Sequence, residues 1–176
     1  MLNQTDGAAQ YLTFFVAGEE YAIAILRVEE IIQYRPITRV PGTPACISGV
    51  INLRGHVVPV VDLAVKLGQP PSLVARRTCI VVVQARAEDR PLLLGIIADS
   101  VHQVVDLRPE DIEPPPPFGV RIRLEYLTGM VRMDAKFALL LDIDRVLGTE
   151  ELLGTATLTA AEAATAHAAP SDVSRL

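Results

Sequence analysis

Apolar positions along this chain come in short runs, each stopped within a few residues by glycine, proline or charge. The stretch YLTFFVAGEEYAIAIL holds two such runs on either side of Gly18-Glu19, which predicts two antiparallel strands joined by a tight turn. A third extended run covers residues 28–34. The segment RPITRVPGTP then breaks the pattern, because Pro36, Pro41 and Pro44 cannot donate a ladder hydrogen bond. Strands are predicted at 47–53 and 56–61 with Arg54-Gly55 as their turn. Asp62 is placed to cap the short apolar helix LAVKLG, and Gly68 to end it. Gln69-Pro70-Pro71-Ser72 reads as a connector.

The second half restarts with strands at 78–84 and 92–98 around a charged loop, ARAEDR, followed by a strand at 101–106. PEDIEPPPPF reads as a long loop stiffened by the four prolines at 114–117. The last strands are predicted at 127–133 and 137–141, and Asp142 opens a second short helix, DIDRVLG. The two halves repeat one another. ISGVINLRGHVVPVVDLAVKLG (47–68) aligns without a gap on LTGMVRMDAKFALLLDIDRVLG (127–148), with Gly49 on Gly129, Asp62 on Asp142 and Gly68 on Gly148. EYAIAILRVEEI likewise lies over LLLGIIADSVHQV, with Ala22 on Gly95 and Val28 on Val101.

A repeated β module implies two small barrels of about five short strands, each closed by a short helix, because closure removes exposed strand edges. Each half is too small for a robust core of its own, so the two are predicted to pack together. Gly49 and Gly129, at matched positions, suggest a close backbone approach or a bulge in both copies. At the turn the copies differ: Leu53-Arg54-Gly55-His56 in the first, Met133-Asp134-Ala135-Lys136 in the second. The fold therefore requires neither arginine nor glycine there, and Arg54 stands out as a candidate for recognition.

Composition narrows the function classes. Half of the 176 residues are hydrophobic, yet no apolar run approaches the roughly 20 residues of a membrane span. MLNQTDGAAQ has neither the basic region nor the apolar block of a secretory signal, which makes the cytoplasm the expected compartment. A net charge of −5 without a basic stripe argues against nucleic acid. Cys46 and Cys79 sit among apolar neighbours and read as buried thiols. His56, His102 and His167 are far apart, with no cysteine or carboxylate at metal-ligand spacing. Asp62 and Asp142 read as helix caps rather than an acid/base pair, and no Ser-His-Asp set, P-loop or dinucleotide fingerprint is present.

GVINLRGHVVPVVDL, preceded by FFVAGEEYAIAILRVEEI and followed by EYLTGM and LLLDIDRVL, resembles the CheW-like chemotaxis coupling proteins over about residues 11–153. The resemblance implies an all-β fold: two SH3-like five-stranded β-barrels packed on a shared hydrophobic core, with short helices. A single domain at 11–153, made of two intertwined barrel subdomains at about 11–72 and 73–153, is expected between a flexible tail at 1–10 and an Ala/Thr-rich tail at 154–176. It implies no catalytic, cofactor or metal site. The implied role is an adaptor in cytoplasmic, membrane-associated receptor arrays, joining chemoreceptor tips to the regulatory domain of a CheA-type histidine kinase; self-association in rings is left open. Carried over by motif, the receptor-contacting surface falls on Val28, Glu30, Gly49 and Arg54, with Glu30 and Arg54 close enough for a salt bridge. Kinase docking is assigned to Ile37, Val40 and Pro41. The proline run and the C-terminal tail depart from the family pattern and bear on partner choice. The competing class is a small-ligand or enzymatic β-barrel using the groove between the halves.

Overall fold

The apolar runs of the sequence are strands. A computed structural model describes residues 7–87, 90–115 and 124–147. Its strands are β1 (Ala9–Val16), β2 (Glu19–Ala24), β3 (Val28–Gln33), β4 (Ile47–Leu53), β5 (His56–Val61), β6 (Cys79–Ala87), β7 (Arg90–Ala98), β8 (Ser100–Leu107), β9 (Ile112–Glu113), β10 (Leu127–Met133) and β11 (Lys136–Leu141). Helices α1 (Leu63–Lys66) and α2 (Ile143–Leu147) follow β5 and β11, and single 3-10 turns occupy Ile25–Arg27, Pro109–Asp111 and Leu124–Tyr126. Among the described residues no helix is long and apolar enough to cross a membrane.

Two sheets result, ordered β3-β6-β7-β5-β4 and β8-β1-β2-β11-β10-β9. Each curls into a barrel because the strand at one edge continues into contact with the other edge. Beyond β3 the chain reaches Thr38, which bridges Val50 of β4; beyond β8 it reaches β9, which pairs with Met130 and Val131 of β10. The hairpins of the repeat share one register. Ile47 faces Val61 and Gly49 faces Val60 across a bulge, as Leu127 faces Leu141 and Gly129 faces Leu140. The parallel pairings match too, Val60 with Gly95 and Leu140 with Ala22.

Those parallel pairings show how the two halves intertwine. β1 and β2, from the first half, lie in the sheet of β8 to β11; β6 and β7, from the second half, lie in the sheet of β3 to β5. The halves are interlocked by exchange of a hairpin. Three corrections follow. β1 begins at Ala9, inside the expected tail. Most of ARAEDR is strand, since Gln84 and Arg86 stand outward while Ala85 is buried, so charge on alternate positions does not break the ladder. PEDIE is not a plain loop but holds the 3-10 turn and β9 that close a barrel. Pro116 and Pro117, Gly148, His167 and the C-terminal tail lie outside the described residues.

Continuous apolar runs in β6 and β7 have their cause in burial on both faces. Ile80 and Val82 point into their own barrel with Ile51, Leu53, Val58 and Val60. Val81, Val83 and Ala85, on the opposite face, join Leu12, Phe14, Tyr21, Ile23 and both helices in one cluster between the barrels. The other barrel is filled by Ala22, Leu107, Val131, Ala138 and Leu140. Asp62 caps α1 as expected, accepting from Ala64 N at 3.1 Å; its carboxylate also takes Ser72 N at 2.9 Å and Ser72 Oγ at 2.7 Å. The residue after the cap of α1, Gly68, has φ +80°, the left-handed conformation a helix end asks of glycine.

Gly49 is required for closure. Its φ is +146°, and an added Cβ would overlap Thr38 O and lie 2.8 Å from Ile37 Cγ2, where the closing segment crosses β4. At Gly129 the equivalent Cβ would meet Ile112 Cγ2 at 2.5 Å and Glu113 O at 2.8 Å, without the unusual φ. Gly49→Ala is therefore expected to cost about 3 kcal/mol or more, and Gly129→Ala less, in urea unfolding. Equal or reversed costs would show that backbone crossing is not the cause.

Burial, reinforced by the Glu19 carboxylate, pushes the Tyr21 hydroxyl up to about 12 from 10.0. The folded chain keeps this proton where an unfolded tyrosine has released it. The contribution to stability is complete below pH 10 and is lost as pH rises through about 12. Comparing urea midpoints of the wild type and Tyr21→Phe across that interval is expected to show a steeper alkaline fall in the wild type.

Candidate docking surface

Arg54 is positioned by turn chemistry. With φ +51° at Arg54 and +84° at Gly55, both central residues are left-handed, as a type I′ hairpin turn requires. Asn52 Oδ1 accepts Gly55 N at 2.8 Å, and Asn52 O accepts Arg35 Nη1 at 3.1 Å. At the second turn only Asp134 is left-handed, with φ +51°. Gly55 thus serves the local geometry of the first copy, which corrects the inference that the turn has no use for glycine; Arg54 remains without a structural requirement.

Glu30 comes from β3, where a bulge sets Val28 opposite Val83 and Glu30 opposite Val82. Val28, Glu30 and Ile32 share the inward face of this strand, Val28 packing on the joint core and Ile32 on the first barrel. Arg54 Nη2 lies 3.0 Å from Glu30 Oε2, with the arginine side chain 75% exposed and the glutamate 21%. Glu30 Oε1 is buried and accepts from no group among the described residues. Held by one ion pair and otherwise exposed, the guanidinium keeps donors for a partner.

The four expected receptor-surface residues divide. Glu30 and Arg54 meet at the rim of the first barrel, with Val57 exposed across the hairpin from Asn52, while Val28, two residues before Glu30 on β3, packs on the joint core. Gly49 is buried beneath Thr38 and Ile37 and offers nothing to a partner directly; it sets the course of the chain that frames the rim. The three proposed kinase-docking residues do not form one patch. Ile37 turns inward onto the first barrel's core, whereas Val40 and Pro41 line a shallow depression of about 330 Å³ with Thr43, Pro44 and Ile47.

Other contacts were beyond sequence reasoning, because their partners lie far apart in the chain. Arg27, next to Val28, pairs with Asp144 of α2, and Asp144 also accepts Arg86 N at 3.0 Å. This clamp ties the start of β3 to the other barrel. His102 Nδ1 lies 2.7 Å from Glu20 Oε1, a contact no local spacing announced. Burial, with the Asp99 carboxylate adding, pushes the Cys79 thiol up, leaving it protonated and weakly nucleophilic. The groove beside the clamp, lined by Tyr11, Arg27, Thr128, Asp142 and Asp144, holds about 220 Å³. That is below the roughly 300 Å³ at which small-molecule sites begin, and Asp144 already occupies its arginine.

The CheW-like domain profile matches residues 10–151. The chain belongs to the CheW-like family. It is 38% identical over 143 residues to the chemotaxis protein CheW of Klebsiella aerogenes, covering 81% of this chain and 84% of that one. It is 29% identical over 123 residues to protein FrzA of Myxococcus xanthus, covering 70% and 74%. The crystal structure of the scaffolding protein TtCheW from Thermoanaerobacter tengcongensis superposes with a TM-score of 0.73 at 28% identity, covering 86% of this chain and 95% of that one. The two-barrel architecture is thus the CheW-like one, and the Arg54–Glu30 rim belongs to a fold found in a scaffolding protein.

An ion pair this exposed contributes about 0–1 kcal/mol to stability. Arg54→Ala is expected to shift the thermal midpoint by no more than about 4 °C, as read by circular dichroism. A drop of ten degrees would assign Arg54 to the fold instead.

Proposed function

We propose that this chain is a non-enzymatic adaptor that couples the cytoplasmic tips of chemoreceptors to a CheA-type histidine kinase in membrane-associated arrays. The Arg54–Glu30 pair carries the reading. An exposed guanidinium with donors to spare, the Glu30 carboxylate that orients it and the exposed Val57 suit the polar and apolar side chains of a helical receptor tip. Membership of a family whose relatives are chemotaxis proteins by name supports the pathway. Val40 and Pro41 are assigned to the kinase, with Ile37 supporting them from within.

Titration of a receptor cytoplasmic fragment and a CheA regulatory domain tests both assignments. Arg54→Ala is expected to weaken receptor binding about tenfold or more, on the order of the loss when one partner of a desolvated charge pair is removed, with kinase binding retained. Val40→Asp is expected to do the reverse. Absence of binding to either partner at tens of micromolar would end the proposal.

A further inference from the structure

Asp144 of α2 joins the second barrel to the first at two points. Its Oδ1 accepts Arg86 N of β6 at 3.0 Å and is paired with the guanidinium of Arg27, the last residue of the 3-10 turn that leads into β3. The contact falls where a ladder runs out. β6 pairs with β3 from Cys79 to Val83, so its continuation to Ala87 extends past the start of β3, and the Asp144 carboxylate takes a backbone donor there. Ile143, Val146 and Leu147 seat α2 in the cluster that also holds Val83 and Ala85, which gives Asp144 a fixed base. Arg27 Nε is buried and meets no acceptor among the described residues, so the guanidinium is oriented from its Asp144 side.

The other copy of the repeat supplies a comparison. Asp144 aligns with Ala64 and Arg27 with Ser100, so the matched junction has no such ion pair. It has no need of one. β8 is laddered to β1 as far as Ser100 itself, and Asp99 N, one residue earlier, donates to Phe15 O at 2.8 Å. At β3 the ladder begins only at Val28, with the bulge between it and Glu30. The placing of Glu30 against Arg54 therefore depends on how firmly the residue before that bulge is held. We propose that Asp144, from the second barrel, is a positioning residue for the Arg54–Glu30 rim: by fixing Arg27 it sets the start of β3 and the direction from which Glu30 meets Arg54. For receptor binding this rests on the adaptor reading; for the hold on β3 it rests on the fold alone.

Two variants of the full chain test this. Asp144→Asn removes the charge from α2, and Arg27→Gln removes it from the other side while leaving Asp144 to accept Arg86 N. In both, amide hydrogen exchange along β3 is expected to quicken about fivefold with β8 unchanged, because local opening follows the local hold. Binding of a receptor cytoplasmic fragment is expected to weaken about fivefold in either variant. Neither substitution is expected to add a further loss to Arg54→Ala, because the rim that Asp144 positions is then already gone. Unchanged exchange along β3, an equal gain along β8, or the whole loss of binding persisting beside Arg54→Ala would each overturn the proposal. A wild-type chain that binds no receptor fragment would remove the adaptor reading, and the exchange rates would still decide whether Asp144 holds β3.

Discussion

Burial of β1, β2, β6 and β7 on both faces is the constraint from which the rest of the molecule follows. Each of these strands turns alternate residues into its own barrel and the others into the cluster that the barrels share. Burying a valine, leucine or phenylalanine contributes on the order of 1.5–3 kcal/mol, and the shared cluster contains many. Neither barrel retains that contribution without the other. The exchange of hairpins makes the dependence mutual, since each sheet is completed by strands from the opposite half.

A body organised in this way has little freedom at its centre and some at its rims. Where the closing segment crosses β4, Gly49 admits the backbone of Thr38 because it has no side chain. The Arg27–Asp144 clamp fixes the entry to β3, and the bulge after Val28 sets the side from which Glu30 emerges. Arg54 then meets Glu30 from a turn whose geometry depends on Gly55 rather than on the arginine. Because the pair contributes little to stability, its chemistry is available for contact with another molecule.

Duplication lets each copy serve as the control for the other. Registers, bulges and parallel pairings coincide, while the turns differ in both charge and backbone conformation. By residue type alone, the second copy makes both Arg54 and Gly55 dispensable. Comparing conformations separates them, because the second turn has one left-handed residue and the first has two. Identity at aligned positions reports shared architecture; difference needs the dihedral angles before it reports function.

Much of this protein was legible in the order of its residues. Strand periodicity, the Arg54-Gly55 turn, the Asp62 cap, the matched glycines and the repeat all depend on neighbours within a few positions or on self-similarity, both of which a linear sequence carries. The charged alternation in β6 and the short closing strand β9 were harder to see, because each is strand only by virtue of its partner. The Glu20–His102 contact, the Arg27–Asp144 clamp and the exchange of hairpins join residues from opposite halves of the chain. The sequence determined which segments extend and turn. Only the tertiary structure decided which half completes which barrel, because β-ladder pairing satisfies any backbone alike and the choice is made by burial of both faces at once.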